Sequence, residues 1–232
     1  MVSMIFFGPP GAGKGTYAKR IGPRLGIPHI STGDIFRDAI KSGTELGKKT
    51  KEYLDRGELV PDEIVNEVVK VRLSKPDCKN GFILDGYPRT VDQAKYLEKI
   101  AKIDVIINLI LPDEILIEKM TARRICRNCG EIYNIADINR VVDGIQYILP
   151  PMKPKKDGVC DKCGSKDLYQ REDDTEKVIR GRLEVFKKQI IPVLEYYRSE
   201  GKIPIIDVHV TRGPEIMVEK IMELLKQNKI VS

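Results

Sequence analysis

Tryptophan is absent from the 232 residues, phenylalanine occurs five times and histidine twice. A nucleic-acid reader built on stacking needs aromatic platforms set among basic residues. No such interleaving and no long Lys/Arg block occurs, so nucleic acid is not an expected partner. Forty Lys and Arg against 34 Asp and Glu still leave a net charge of +6, which suits any polyanionic ligand. The two histidines, His29 and His209, read as structural. No apolar stretch approaches the roughly 18 residues of a membrane span. No basic leader with a cleavage site precedes the first strand-like run, so a cytoplasmic protein without a membrane partner is expected. A hydrophobic share of 41% beside 32% charged residues fits a globular chain with one large core, carrying at most small inserted lobes.

Against that background the richest stretch is Gly8-Pro-Pro-Gly-Ala-Gly-Lys-Gly-Thr16. It follows the apolar run Val2–Phe7 and leads into a helix-like segment, which is the strand-to-helix setting of a phosphate-cradling loop. Glycines let backbone N–H groups turn inward on an anion, the helix N-terminus adds positive dipole, and Lys14 adds a full charge. The spacing matches the nucleoside-triphosphate P-loop, except that Gly15 fills the usual Ser/Thr slot and the hydroxyl arrives at Thr16. The bland alternative is a glycine-rich turn with a surface lysine.

Strand-like and helix-like stretches alternate through most of the chain. Ile27–Ser31, Gly81–Asp85, Ile103–Leu111 and Ile203–Asp207 read as further strands, the third with the continuous apolar pattern of a central parallel strand. Helical spacing runs over 62–73, from 113 to about 124, through 179–197 with a kink expected at Pro192, and over 217–225. The expected fold is α/β: a parallel P-loop sheet with helices on both faces. Ligands gather beyond the carboxyl ends of such strands, so Gly8–Thr16, Asp85–Arg89 and the Asp207 region should line one crevice. Two stretches break the rhythm, residues 32–60 with two short polar helices and residues 125–172 with four of the five cysteines.

Those four form two matched turns, Cys126-Arg-Asn-Cys129-Gly and Cys160-Asp-Lys-Cys163-Gly. Each offers two thiolates at one vertex, and together they complete a tetrahedral site with no open position, so the expected metal is structural. Zinc is the first choice, and iron also suits four soft ligands. A lobe of about 48 residues with few large apolar groups needs such a staple. Disulfides or four free thiols are the rival reading, and Cys78 stands apart as an inert thiol.

Arg37, Arg89, Arg123, Arg171 and Arg182 sit at chain reversals or helix ends that would aim them at the crevice, and guanidinium forks suit multiply charged phosphates. Each alone reads better as a solvated surface arginine. Together with Ser31-Thr-Gly-Asp-Ile-Phe-Arg37, Gly81–Thr90 with Gln93, Arg123–Gly130, Gly158–Gly164 and Tyr169-Gln-Arg-Glu-Asp-Asp174, the P-loop resembles the adenylate kinase family in its long-lid, metal-carrying form, over essentially the whole chain.

The resemblance implies reversible phosphoryl transfer from ATP to AMP, giving two ADP, with Mg2+ as cofactor and ATP and AMP as the only partners of a monomer. It implies a core of residues 1–30, 61–122 and 174–232, an AMP-binding lobe over 31–60 and a lid over 123–173. It assigns ATP to Gly11, Ala12, Gly13, Lys14, Gly15, Thr16, Arg123, Ile132 and Tyr133. It assigns AMP to Thr32, Arg37, Glu58, Leu59, Val60, Gly86, Tyr87, Pro88, Arg89, Gln93, Arg171 and Arg182, with Gln93 reading the adenine edge. Lys14, Arg89, Arg123, Arg171, Arg182 and Asp85 would be catalytic, Asp85 orienting water on Mg2+; the rival for Asp85 is a pairing with a loop arginine. Three departures stand out. Lys119 occupies a position where relatives carry arginine against the ATP base, the interval between cysteine turns is long, and Asp207–Arg212 matches the last ATP loop poorly. The excess within 135–156 reads as an added hairpin or a contact surface. A kinase of another nucleoside monophosphate, and a zinc-ribbon RNA or protein binder with a degenerate P-loop, are the alternatives.

Overall fold

A computed structural model describes residues 1–56 and 58–231. Five strands, β1 (Val2–Phe7), β2 (His29–Ser31), β3 (Gly81–Asp85), β4 (Val105–Ile110) and, much later in the chain, β10 (Ile205–His209), form one parallel sheet in the order β10-β4-β1-β3-β2. The expected parallel α/β core is therefore present. Alternation along β1 splits the interior in two: Met4 and Phe6 face one apolar cluster, Ile5 and Phe7 the other. The first cluster is covered by α1 (Lys14–Leu25), α6 (Asp113–Thr121) and α9 (Pro214–Gln227). The second is covered by α4 (Asp62–Leu73), α5 (Val91–Ile100) and α8 (Ile191–Glu200). A short helical pair, α2 (Thr32–Lys41) and α3 (Glu45–Arg56), follows β2, as the polar pattern of 32–60 implies.

The long helix expected over 179–197, with its kink at Pro192, is present without a gap but carries an irregular turn just before that proline. It runs as α7 (Glu176–Val185), a π-helical turn over Phe186–Ile190, and then α8. Pro192 lacks an N–H and its ring crowds the carbonyl four residues back, and the wider turn just before it relieves that clash. The turn also re-aims the apolar stripe. Ile179 and Leu183 pack in the first cluster, whereas Val193 and Tyr197 pack in the second.

Residues 123–169 form the irregular region. Strands β5 (Arg123–Cys126), β6 (Ile132–Asn134) and β9 (Leu168–Tyr169) make a small antiparallel sheet in the order β6-β5-β9. Between them β7 (Ile138–Val142) and β8 (Ile145–Leu149) pair as a hairpin. Its turn, Asp143-Gly144, has φ of 49° and 75°, the double positive φ of the turn type that Asp-Gly favours. The long interval between cysteine turns is thus an added hairpin. Its Ile138, Tyr147 and Leu149 are buried in the first core cluster, while Cys126, Tyr133 and Cys160 form a small cluster of their own.

Candidate functional site

The loop after β1 ends at Gly13, whose φ of 96° is left-handed; a side chain there would put its Cβ 2.8 Å from the Tyr17 ring. Helix α1 then starts at Lys14 with no side-chain cap and no acidic residue in its first turn. Its leading N–H groups and dipole remain free for an anion. Lys14 folds back over the loop, donating to the carbonyls of Gly8 (2.7 Å) and Pro9 (2.9 Å). Burial holds its pKa down at about 8, against the upward pull of Asp85; Arg89, Arg182 and Arg123 push it further down.

The cleft above this loop is lined by eight Lys and Arg side chains, among them Lys14, Arg37, Arg89, Arg123, Arg171 and Arg182, against two carboxylates, Asp34 and Asp85. The cations are costly where they stand. Burial, then Arg182 and Arg37, brings Arg89 down to about 10, and burial with Arg123 and Arg37 does the same to Arg171. Burial also lowers Arg182. The Arg171 Nε is buried without a hydrogen-bond partner among the described residues. Such a cluster is what a polyphosphate would neutralise.

Two aspartates before α7 orient the far wall. Asp174, fully buried, takes two hydrogen bonds from Arg123, one of them from Nε at 2.8 Å. Asp173 accepts from Arg182 at 2.7 Å. On the near wall Arg37 donates to Asp34 at 2.5 Å, and Asp34 N–H is capped by the Ser31 hydroxyl at 3.2 Å. Arg89 Nε donates to the Gly86 carbonyl (2.7 Å), which also accepts from Thr32 Oγ1 (2.9 Å). Gly86, Tyr87, Pro88 and Leu59 line the same wall.

Several expected site residues lie behind the walls. Gln93 is buried, with Oε1 accepting from the Arg89 N–H (2.7 Å) and Nε2 donating to Asp62 (2.8 Å). Its amide therefore shapes the Arg89 loop. Thr32 and Val60 are buried too, and Glu58 is exposed beside Arg56 at 3.0 Å. Ala12 is buried beneath the P-loop, whereas Gly11, Gly13, Gly15, Thr16 and Ile132 line the cleft. The Tyr133 side chain turns away toward the cysteines: its hydroxyl donates to Cys160 Sγ (3.5 Å) and accepts from the Asp161 N–H (2.7 Å).

Asp85 ends β3 facing the P-loop, with its Oδ2 3.3 Å from where a Cβ on Gly15 would sit. Its close partner is His29 Nε2, at 3.3 Å, and not a loop arginine. Sequence reading missed this pairing, because His29 reaches Asp85 only through the parallel packing of β2 on β3. Lys119, in the last turn of α6, lines the cleft with its pKa lowered by burial to about 8.

The sulfurs of Cys126, Cys129, Cys160 and Cys163 lie within 4.8 Å of one another, with Cys126–Cys163 and Cys129–Cys160 each at 3.5 Å. Ligand bonds of about 2.3 Å in a tetrahedron require sulfurs slightly under 4 Å apart, so the four can hold one metal ion. Burial alone would raise the Cys160 pKa. Hydrogen bonds from the Tyr133 hydroxyl and from the amides of Cys163 and Lys162 outweigh it and hold the thiol below its ordinary value, whereas burial pushes Cys129 up.

The family model described as adenylate kinase matches residues 6–202. A relative named adenylate kinase from Archaeoglobus fulgidus is 48% identical over 98% of this chain and 100% of its own length. Relatives of the same name from Caldicellulosiruptor bescii (49% identical; 96% of this chain, 97% of theirs) and Thermotoga maritima (47%; 97% and 97%) are similar throughout. A cation-lined cleft over an uncapped helix start, a four-cysteine knuckle and near full-length similarity converge, and the chain belongs to the adenylate kinase family.

Proposed function

We propose that the protein transfers a phosphoryl group reversibly between ATP and AMP, giving two ADP, by direct in-line displacement between nucleotides held end to end. The observation that carries this reading is the gathering of Lys14, Arg89, Arg123, Arg171 and Arg182 around one P-loop cleft. In phosphoryl transfer the acceptor oxygen of AMP is already anionic. The protein need only align the reactants and stabilise spreading charge. Inward-facing amides of Gly11–Thr16 would bind the donor phosphates, with Lys14 leaving the Gly8 and Pro9 carbonyls to follow them. Arg37, Arg89 and the Gly86–Pro88 backbone would bind AMP, while Arg123, Arg171 and Arg182 span the transferring group. Thr32 and Gln93 act in this scheme by fixing the Gly86–Arg89 loop.

Mg2+ bound with ATP would supply charge neutralisation between the phosphates. Asp85 and the Thr16 hydroxyl, hard oxygen groups at the P-loop, suit that ion, and His29 holds the Asp85 carboxylate in place. We assign zinc to the four-cysteine site, where it staples the lid expected over 123–173; the hairpin at 138–149 within that span packs on the core cluster, which leaves 123–134 and 152–173 as the part over the cleft. The α2–α3 pair with the segment up to residue 60 is the AMP-binding lobe, and the rest is core. Closure of the lid would exclude water and protect ATP from hydrolysis. The cytoplasm, where these nucleotides are abundant and thiolates stay reduced, fits this chemistry. One chain provides all these groups, so a monomer suffices.

The test is a coupled ADP-formation assay over a panel of donors and acceptors, with metal analysis of the same sample. ATP with AMP should be the preferred pair and zinc should be present at one ion per chain. Preference for GMP or UMP as acceptor, or salt-sensitive RNA binding without turnover, would overturn the reading.

A further inference from the structure

The hairpin inserted between the cysteine pairs is fastened to the core. The Ile148 N–H donates to the Thr211 carbonyl at 2.9 Å, and Arg212 Nη1 donates to the Gln146 carbonyl at 2.8 Å. Arg140 pairs with Glu118 on α6, and Pro150 carbons lie 3.4–3.5 Å from where a Cβ on Gly213 would be. With Tyr147 and Leu149 sunk into the core, the hairpin stem has one place to go.

That stem ends at Met152. Its backbone pairs with Asn134 in both directions, at 2.7 and 3.0 Å. Asn134 is itself fixed: Nδ2 donates to the Lys119 carbonyl (2.7 Å) and Oδ1 accepts from the Ala136 N–H (2.9 Å). Met152 is half-buried and lines the cleft with Ile132, Met120 and Pro214. This end of the cleft differs chemically from the other. Arg37, Arg89, Arg171 and Arg182 call for phosphates, whereas Met120, Ile132, Met152 and Pro214 are apolar, with Lys119, the Asn134 amide and Arg123, the cross-strand partner of Asn134, as their polar neighbours. It also adjoins the P-loop directly, for the Met120 side chain sits 2.6 Å from a Cβ built on Gly11. A triphosphate seated on the P-loop, with its terminal phosphate toward the arginines, places its other end here. A flat, polarisable heterocycle is the group that an apolar slot with a mobile thioether suits.

We propose that the inserted hairpin holds Met152 as a wall of the donor-base subsite, making Met152 a specificity-determining residue for the donor nucleotide. The proposal rests on the phosphotransfer reading only for which nucleotide enters at this end. Met152→Ala should weaken ATP binding about tenfold, as expected for apolar groups lost from such a pocket. The same variant should leave the affinity for inorganic tripolyphosphate, which lacks a base, unchanged. Met152→Leu, close in volume, should restore ATP binding.

Calorimetric titration of wild type and both variants with ATP and with tripolyphosphate reads the ratio directly. In turnover, the KM for ATP should rise in Met152→Ala while kcat and the KM for AMP stay within about twofold. An unchanged ATP affinity, or equal weakening of ATP and tripolyphosphate, would overturn the proposal. A wild-type protein that binds ATP but forms no ADP would sink the kinase reading instead, and the titration ratio would still decide the role of Met152.

Discussion

Replacing Arg89 by methionine should make the nucleotide-free protein more stable and nearly inactive. Methionine keeps most of the apolar stem and removes the charge. Burial brings the Arg89 guanidinium down to about 10, and at about 1.4 kcal/mol per tenfold this is about 3 kcal/mol of unfavourable surroundings. The substitution loses the hydrogen bond from Nε to the Gly86 carbonyl, a net contribution of about 1 kcal/mol. That carbonyl keeps its bond from Thr32, so no buried acceptor is orphaned. The balance is a gain of about 2 kcal/mol, a Tm higher by about 4–8 °C for a chain of this size. Losing the arginine that holds and aligns the accepting AMP phosphate should lower kcat/KM by about a thousandfold or more. Scanning calorimetry without nucleotide and the coupled ADP assay read the two effects. A variant that melts lower, or keeps activity within about tenfold of wild type, would refute the view that Arg89 is held in strain for a phosphate.

Lys14, with a pKa of about 8 in the free protein, should regain its proton when phosphates enter, so ATP affinity should fall as pH rises above about 8. Calorimetry in two buffers of different ionisation heat should show proton uptake at pH 9 and little at pH 7; a flat affinity over that span would contradict the assignment. Cys160→Ser should abolish metal binding and lower the Tm, with phosphoryl transfer surviving at temperatures where the lid still closes. Unchanged metal content would show that the two turns do not share one ion. Asp174→Asn leaves Arg123 buried without its counter-charge, costing about 3 kcal/mol or more, and should lower kcat as Arg123 loses its aim. A variant with wild-type Tm and kcat would remove Asp174 as the group that positions Arg123.

The parallel sheet was legible because its strands carry continuous apolar runs and its helices a clear stripe, as in Val105–Ile110 and α4. The P-loop and cysteine turns were legible because their chemistry depends on short fixed spacings. Side-chain direction was not. Gln93, Thr32 and Tyr133 are polar residues whose orientation is set by partners far along the chain, Asp62, Gly86 and Cys160. His29 beside Asp85 is of the same kind. The excess within 135–156 read only as a hairpin or a contact surface; the structure decides for a hairpin over 138–149, and its docking on Thr211 and Arg212 depends on tertiary packing alone.

The claim of direct transfer by positioned cations is tested most directly by stereochemistry at phosphorus. With ATP made chiral at the γ-phosphorothioate and AMP as acceptor, one in-line displacement should yield product of inverted configuration. Retention, or a phosphorylated side chain such as His29 trapped from ATP alone, would mean two displacements through the protein, and the proposed mechanism would fail.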